Sequence, residues 1–560
     1  MPFLQPMLDT PFGEIAAILL IAAVVGVIGA LMRQPLIVAF IAVGILVGPS
    51  ALHLVRHAEE LELLASIGIA VLLFLVGLRL DVSVIRTMGP VSLATGLGQV
   101  GFTSIIGFFL CLLLGMSVAA SVYVAVALTF SSTIIIVKLL SDKHEIDALH
   151  GRIAVGFLIV QDIVVVLAMI ALSAFGGAGA DGDGQPPLGR ALLVLARGLG
   201  MLGVVALMMR YVLPHLTRMM ARHQELLILF AIAWAVALAA TGEAMGTSRE
   251  VGAFLAGVSL ASTPYRDAIG GRLVSLRDFL LLFFFINLGA TLDLSQIRGD
   301  LLPAAVLSIF VLVGNPLIVM VIMGAMGYRR RTGFLAGLTV AQISEFSLIL
   351  GALGVSLGHI DPSVMGVITL VGLITIGLST YMILYSHPLF ERVAPLLGVF
   401  EKAQPYRESA DSDQMAVQPD VIVFGLGRYG SNIAHRLEQR GLRVLGVDFD
   451  PQVIRRWRDE GRSAQYGDAE DPEFAATLPL ARATWVISTM PQLHVNQALL
   501  SALHEQRYAG SVAATAHHHH DARRLEQLGA KVVLLPFSDA AEEAVDRILG
   551  EAPQDNKPRP

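Results

Sequence analysis

Residues 153–170 read IAVGFLIVQDIVVVLAMI and carry one charged side chain, the carboxylate of Asp162. The stretch is long enough to cross a lipid bilayer as a helix. A carboxylate at the bilayer centre costs roughly 2.5–3.5 kcal/mol on insertion scales, so it indicates a function. Such a group can exchange a proton for a transported monovalent cation, and no structural metal is needed. The alternative is a structural carboxylate that hydrogen-bonds a neighbouring helix.

Apolar segments of similar length surround this stretch. Of the 560 residues, 55% are hydrophobic and 15% are charged, against about 25% charged in soluble proteins, and the mean hydropathy is +0.70. The pattern predicts a polytopic α-helical membrane domain over residues 1–392. Its spans, about thirteen by length and hydropathy, are expected at 13–32, 36–54, 62–79, 91–114, 118–138, 153–173, 191–213, 225–242, 251–263, 278–292, 303–326, 333–358 and 363–387.

Basic residues in the loops predict the orientation of this domain. The loops between the predicted spans fall alternately on the two sides of the membrane. One side holds most of the Lys and Arg residues of these loops, among them Lys143, Arg152 and Arg329. Cytoplasmic loops are enriched in basic residues, so we expect the N-terminus outside and the C-terminus inside. The single cysteine, Cys111, excludes a disulfide framework. No basic stripe lies outside the membrane loops, so nothing supports nucleic-acid binding.

Polar side chains interrupt two further apolar spans. Ser131, Ser132 and Thr133 lie together in VALTFSSTIIIVKLL, residues 126–140, and Gln161 precedes Asp162. A broken helix would offer free carbonyls and hydroxyls to a cation, and the Gln161 carbonyl could add a neutral ligand. Alternatively, the hydroxyls bond carbonyls of their own helix and Gln161 makes a helix-packing contact.

The second interrupted span falls in the later half of the membrane domain, as inverted repeats with paired broken helices require. It reads VAQISEFSLIL, residues 340–350, and contains Glu345. Glu345 either shapes the ion site or pairs with a nearby cationic group. Asn315 and Pro316 form a third polar interruption, for which a proline kink is the alternative explanation.

The pattern changes after residue 392. Residues 393–419 are predicted to form a linker, which is polar and acidic from 401, and residues 551–560 a tail. Between them, residues 420–550 alternate short β-branched runs with amphipathic helices, which predicts a doubly wound α/β domain. We expect its six strands at 420–424, 443–447, 463–466, 484–489, 511–515 and 531–535.

The first strand of this domain leads into a nucleotide-binding fingerprint. Gly425, Gly427 and Gly430 form GxGxxG in VIVFGLGRYG, residues 421–430. The glycines allow a tight turn, close approach of the backbone to phosphate, and packing of the helix on the strand. Asp448 ends the second strand, where it can accept hydrogen bonds from ribose hydroxyls and disfavours a 2′-phosphate. NAD(H) or AMP is therefore expected, and the alternative is a degenerate domain that only dimerises.

The membrane segments LTFSSTIIIVKLLSD, FLIVQDI, DFLLLFFFINLGATLDL and LTVAQISEFSLIL resemble the monovalent cation:proton antiporter-2 family. Within it, the Gln161–Asp162 pair is similar to potassium/proton exchangers of the KefB/KefC and YbaL type. The resemblance implies a NhaA-like fold with two inverted repeats, a dimerisation layer and a core of crossed broken helices. It also implies that Asp162 is the ion and proton carboxylate, and that Ser131, Ser132 and Thr133 lie at the crossing.

Two positions depart from the family pattern. Arg79 stands where relatives place an acid, and Asn315 stands where many carry a lysine. With one Asp and no Lys, one-for-one electroneutral exchange is the simpler expectation.

The C-terminal stretch resembles the N-terminal lobe of regulator-of-potassium-conductance domains, the TrkA-N type. The resemblance implies that Arg428, beside Tyr429, approaches the ligand phosphates and that Asp468 lies near the base. The nucleotide would then be a regulatory ligand. We also expect paired soluble domains beneath a membrane homodimer. His517–His520 fit polar residues at a helix start, or a pH-responsive or metal-sensing patch.

Together these features predict a bacterial inner-membrane antiporter that exchanges K⁺, or Na⁺, for protons and is gated by nucleotide binding to a cytoplasmic domain. A ligand-gated potassium efflux channel is an alternative, although the sequence lacks a TVGYG-like filter. A membrane-bound NAD-dependent oxidoreductase is a second alternative, although the C-terminal domain has no companion substrate domain.

Overall fold

The structure is a computed structural model of the full chain. It describes residues 10–49, 51–79, 90–143, 145–146, 148–176, 200–201, 203–221, 223–245, 248–292, 297–402, 419–448, 450–467, 469, 474, 478–480 and 482–549. By contacts the chain forms two compact units, Met1–Met326 with Arg330–Phe400 and Gly327–Arg329 with Glu401–Pro560.

All the described secondary-structure elements of the first unit are helices. Apolar helices suit a bilayer because each satisfies its own backbone hydrogen bonds. Its first half contains α1 (Pro11–Leu31), α2 (Leu36–Val47), α3 (Ala58–Arg79), α4 (Pro90–Leu113), α5 (Val118–Ala127), α6 (Thr133–Asp142) and α7 (Leu149–Gly176).

Its second half contains α8 (Leu213–Met220), α9 (Gln224–Ala244), α10 (Arg249–Ala261), α11 (Arg266–Ala290), α12 (Ile297–Ile309), α13 (Asn315–Ala325), α14 (Arg330–Leu338), α15 (Glu345–Ser356), α16 (Pro362–Leu384) and α17 (Ser386–Val393), followed by a 3-10 helix, Ala394–Phe400. Among the described residues, eight helices are long and apolar enough to cross a membrane, and three shorter apolar helices accompany them. The predicted polytopic membrane fold is confirmed in this respect.

Two predicted spans are each built from two short helices. The span expected at 118–138 divides into α5 and α6 around residues 128–132, and the span expected at 333–358 divides into α14 and α15 around residues 339–344. The prediction of two broken helices is therefore confirmed. Of the span expected at 191–213, residues 191–199 and 202 lie outside the described residues, whereas 200–201 and 203–211 are helical.

The polar residues Asn315 and Pro316 do not divide the span expected at 303–326. Helix α12 continues through a π-helical segment, Phe310–Gly314, directly into α13. Pro316 has no N–H to donate, and a π-helical turn accommodates the missing hydrogen bond without ending the helix. Asn315 therefore lies on a continuous helix.

The helices of the first unit pack in two groups. Helices α2, α3, α9, α10 and α11 contact one another, whereas α4–α7 pack with α12–α16. Glycine pairs bring helix backbones together in the first group: a Cβ at Gly77 would collide with Phe254 O, and one at Gly257 would collide with Phe74 O. Small residues at such crossings are typical of membrane helices.

The second unit is a parallel α/β domain. Its strands β1 (Val421–Phe424), β2 (Val444–Asp448), β3 (Ala464–Tyr466), β4 (Trp485–Ser488), β5 (Ser511–Thr515) and β6 (Val532–Leu534) pair in the order β3-β2-β1-β4-β5-β6. The described helices between and after them are α18 (Arg428–Gln439), α19 (Pro451–Asp459), α20 (Leu493–Glu505), α21 (His519–Gln527) and α22 (Pro536–Leu549). All six predicted strands are present. His518 caps α21, so the histidine run lies at a helix start.

Candidate functional site

The two helix breaks of the first unit contact each other. Ser131 Oγ in the first break donates to Gln342 O in the second, over 3.1 Å. Ser347 Oγ on α15 donates to Ala127 O at the end of α5. The serines also restart the helices, because Ser132 and Ser344 are the N-caps of α6 and α15. Hydroxyl-rich sequence therefore both stops and reinitiates each helix at the crossing.

Two carboxylates lie at the N-terminal ends of the restarted helices. Asp162, partly exposed on α7, accepts a hydrogen bond of 2.9 Å from Thr133 Oγ1, the first residue of α6. Glu345 is the first residue of α15 and is buried, and it interacts electrostatically with Asp162. Helix N-termini favour negative charge, so the start of each restarted helix can stabilise the carboxylate beside it. Such a pair can bind a small cation or a proton.

A chain of buried amides and a hydroxyl runs past these carboxylates. Gln161 Oε1 accepts from Ser131 N over 3.1 Å, and Gln161 Nε2 donates to Gln99 Oε1 over 2.7 Å. Gln99 Nε2 donates to Thr103 Oγ1 over 3.1 Å, and Thr103 Oγ1 donates to Asn315 Oδ1 over 2.9 Å. All four side chains are completely buried. The chain links α7, α4 and α13 to the first helix break.

Asn315 completes this chain at both crossing helices. Its Nδ2 lies 3.1 Å from Leu128 O, at the end of α5, and 3.4 Å from Val340 O, just after α14. These are the C-terminal ends of two half-helices, where the helix dipole leaves partial negative charge. A neutral amide therefore stabilises both ends without introducing a full charge.

Gln99 and Thr103 were not identified from the sequence. They lie on one face of α4 with Ser92 and Thr95, spaced by three or four residues, and all four are buried. A polar stripe at helical spacing inside an apolar span is the signal that could have identified them. Arg79, the other position that departs from the family pattern, is an exposed residue at the end of α3.

Gln342, in the second break, is fixed from one side only. Its Oε1 accepts a hydrogen bond of 2.8 Å from Ser379 Oγ on α16, while its buried Nε2 has no partner in the part of the chain that the structure describes. The backbone N–H of the next residue, Ile343, donates to Thr375 Oγ1 over 3.3 Å. Helix α16 thus holds the second break through the hydroxyls of Ser379 and Thr375.

Two neighbouring cavities lie beside α15. Their volumes are about 470 and 420 Å³, and both are lined by Glu62, Phe284, Asn287, Ala352 and Ser356. The smaller cavity also touches Ile349, one helical turn beyond Glu345.

The fingerprint glycines of the second unit each meet a distinct requirement. Gly425 has φ +84°, in the left-handed region that disfavours other residues. A Cβ on Gly430 would collide with Gly425 O, so only glycine lets α18 pack on β1. A Cβ on Gly427, the N-cap of α18, would meet nothing within 4 Å. The open space at that helix N-terminus fits a phosphate group.

The fingerprint loop is held by side chains from both neighbouring strands. Asp448 Oδ2 accepts from Leu426 N over 2.6 Å, and Thr489 Oγ1, just after β4, donates to Gly425 O over 2.8 Å. Strand β1 lies between β2 and β4, so the loop stands at the point where strand order reverses, the usual ligand crevice of such sheets. Sequence analysis missed Thr489.

Of the other predicted nucleotide contacts, Arg428 and Tyr429 lie among the described residues. Arg428 and Tyr429 open α18 with exposed side chains, beside the open space at Gly427. Burial raises the pKa of the Tyr429 phenol, so it stays protonated at neutral pH. Asp468 lies outside the described residues.

Each of the two units matches a known protein family. Residues 16–384 match the family model for the transmembrane sodium/hydrogen exchanger, and residues 421–536 match the TrkA-N domain. The putative cation/proton antiporter YbaL of Escherichia coli K12 is 25% identical over 557 residues, 97% of each chain. The putative K(+) efflux antiporter KefB of Alkalimonas amylolytica is 29% identical over 460 residues, covering 81% of this chain and 68% of that protein. A structure of the sodium proton antiporter MjNhaP1 from Methanocaldococcus jannaschii, 17% identical, covers 69% of this chain and 96% of its own, with TM-score 0.47.

Proposed function

This chain belongs to the sodium/hydrogen exchanger family, and from that premise we propose that it exchanges K⁺ for protons at Asp162. Relatives that match 97% and 81% of this chain are named cation/proton and K(+) efflux antiporters, which favours exchange over the channel and oxidoreductase alternatives. Na⁺ remains the second candidate cation.

The observation that carries the proposal is the position of Asp162 at the crossing. Its carboxylate meets the hydroxyl of Thr133 at the start of α6 and lies near Glu345 at the start of α15. Hydroxyl and carboxylate oxygens are suitable ligands for a monovalent cation, and the same carboxylate can hold a proton instead. Proton and cation then compete for one group as it faces each side of the membrane in turn.

We propose that Glu345 shapes this site and that Ser131 and Ser132 hold the first break open beside it. Gln161 stands next to Asp162 but is neutral, and Asn315 caps both half-helices without charge. Asp162 is the one carboxylate proposed to titrate, and the neutral Gln161 and Asn315 add no charge, which supports one cation moving for one proton, an electroneutral exchange.

The second unit is proposed to regulate this exchange by binding a nucleotide. Gly427 leaves room for phosphate at the start of α18, and Asp448 at the end of β2 favours a free ribose, as in NAD(H) or AMP. Residues 1–392 would then form the exchanger, 393–419 the linker and 420–550 the regulatory domain. A ligand can bias exchange only by binding one conformation more tightly than the other.

We further propose an inner-membrane homodimer with its N-terminus outside and its nucleotide domain cytoplasmic. The basic loops support this orientation.

Purified protein in liposomes tests the exchange. A pH-sensitive dye should report proton movement on addition of K⁺, with Na⁺ and Li⁺ measured in parallel. Asp162→Asn should abolish exchange because the amide cannot carry a proton. Asp361→Asn, at an exposed helix start with no side-chain cap hydrogen bond, is the control. Full exchange by Asp162→Asn would overturn the assignment.

A further inference from the structure

The hydrogen bonds of the buried chain formed by Gln161, Gln99, Thr103 and Asn315 all run in one donor-to-acceptor direction. Backbone groups set this direction at both ends of the chain. At one end the N–H of Ser131 can only donate, so Gln161 must present its oxygen. At the other end the carbonyls of Leu128 and Val340 can only accept, so Asn315 must present its nitrogen. Between these ends each group receives a hydrogen bond on one side and gives one on the other.

Thr103 is the one member of the chain that both accepts and donates through a single oxygen. Its hydroxyl accepts from Gln99 Nε2 and donates to Asn315 Oδ1. The Thr103 hydroxyl therefore couples the orientation of the Gln99 and Gln161 amides to the orientation of the Asn315 amide. Helix α4, which carries Thr103, is not one of the two broken helices, so this coupling comes from a neighbouring helix.

We propose that Thr103 is a positioning residue for cation binding, acting through Gln99 to keep the Gln161 oxygen directed at the first helix break. The inference rests on the proposed exchange at Asp162. Without the Thr103 hydroxyl, Gln99 Nε2 loses this acceptor, and only the bond from Gln161 still holds the Gln99 amide against reversal. A reversed Gln99 would present a nitrogen to Gln161 Nε2, and two donors cannot bond each other.

The consequence falls on cation binding. Gln161 can restore its bond to Gln99 only by turning its oxygen away from Ser131 N, which leaves that buried N–H unpaired. A nitrogen donor would then face the break beside Asp162, where oxygen ligands are needed for a cation. Proton binding by Asp162 does not require the Gln161 oxygen, so affinity for the cation should fall more than the maximal rate.

Helix α4 provides a matched control for this argument. Thr95 lies on the same buried face of the helix, and its hydroxyl has no hydrogen-bond partner among the described residues. Thr95→Val removes a hydroxyl with the same change of shape as Thr103→Val. Thr103→Ser keeps the hydroxyl and removes only a methyl group.

The test is K⁺/H⁺ exchange by the full chain in liposomes over a range of K⁺ concentrations. Thr103→Val should raise the KM for K⁺ by about tenfold, the effect of roughly one lost buried hydrogen bond, with kcat changed less than about twofold. Thr103→Ser and Thr95→Val should behave as wild type. Thr103→Ala, which also lacks the hydroxyl, should repeat the Thr103→Val result.

The outcomes separate this inference from the proposed function. Absence of exchange by the wild-type protein would defeat the proposed function itself. If the wild type exchanges, an unchanged KM in Thr103→Val, a loss not rescued by Thr103→Ser, or an equal change in Thr95→Val overturns the positioning role. A fall in kcat without a change in KM also overturns it, as does failure of both Thr103→Val and Thr103→Ala to fold.

Discussion

Glu145 Oε1 lies 2.8 Å from His387 Nε2, which connects the loop after α6 to helix α17. The same carboxylate is 2.7 Å from Lys143 Nζ and 3.2 Å from His150 Nε2 at the start of α7. Lys143 in turn donates to Ser386 Oγ over 2.7 Å. This cluster fastens the end of one broken helix to the segment that precedes the linker.

The pKa of Glu145 governs the stability of this cluster at low pH. Burial favours the neutral acid, but hydrogen bonds from His150 and His387 and the charge of Lys143 outweigh burial and hold the pKa below its usual range. A lowered carboxyl pKa contributes stability that is complete above the ordinary value, about 4.3, and is lost as pH falls below it.

We therefore expect Glu145→Gln to lower the free energy of unfolding at pH 6 by about 1–3 kcal/mol, because buried donors lose their charged acceptor. The difference from wild type should shrink as pH falls below about 4. Thermal unfolding of the detergent-solubilised protein measures both effects, with Asp361→Asn as control. A difference that stays constant down to pH 3 would contradict the argument.

Thr133 is predicted to contribute to cation affinity through its hydroxyl. Thr133→Val removes the donor to Asp162 and one oxygen ligand from the start of α6, whereas Thr133→Ser retains both. The KM for K⁺ should rise about tenfold in the first variant and stay near wild type in the second. Equal transport by both variants in liposomes would show that the hydroxyl has no part in binding.

Asn315 is predicted to be important for stability as well as transport. Asn315→Leu leaves the buried carbonyls of Leu128 and Val340 without this donor, which should cost about 1–3 kcal/mol. Ser308→Ala on the neighbouring turns is the control, because the buried hydroxyl of Ser308 has no partner within the described ranges. Thermal unfolding should distinguish the two, and an equal shift in both would remove the special role of Asn315.

Much of the fold could be predicted because its signals are local. The hydroxyl runs around Ser132 and Ser344 contain the caps that restart two helices, so both breaks were visible in the sequence. The strands were visible as β-branched runs between turn residues. The π-helical segment before Asn315 was not predicted, because it depends on how a continuous helix accommodates Pro316 rather than on a local stop signal.

The site was predicted less completely, because its partners are distant in sequence. Asp162 and Thr133 could be identified as polar residues in apolar spans, but Gln99 is 62 positions from Gln161 and Thr103 is 212 from Asn315. Polar residues on α4 reveal a buried face without revealing which helix that face contacts. Only the packing of α4 against α7 and α13 supplies the pairing.

Two glycines of the fingerprint should respond differently to the same substitution. Gly427→Ala adds a methyl group into open space, so the fold should survive while nucleotide binding weakens at least tenfold through loss of phosphate approach. Gly430→Ala places a methyl group against Gly425 O and should destabilise the domain itself. Thermal shift of the full chain with NAD⁺, NADH or AMP tests this. Undiminished binding in Gly427→Ala would contradict the assigned phosphate position.

Electroneutral exchange makes a prediction about current. Asp162 is the titrating group of the proposed cycle, and Asn315 meets the ends of α5 and α14 as a neutral amide. One K⁺ replacing one proton on a single carboxylate then moves no net charge across the membrane. Solid-supported membrane recordings of the wild-type protein should show no sustained transport current after a K⁺ jump, while a pH-sensitive dye in the same liposomes reports proton release. A steady current that Asp162→Asn abolishes would show that a second charged group moves with the cycle.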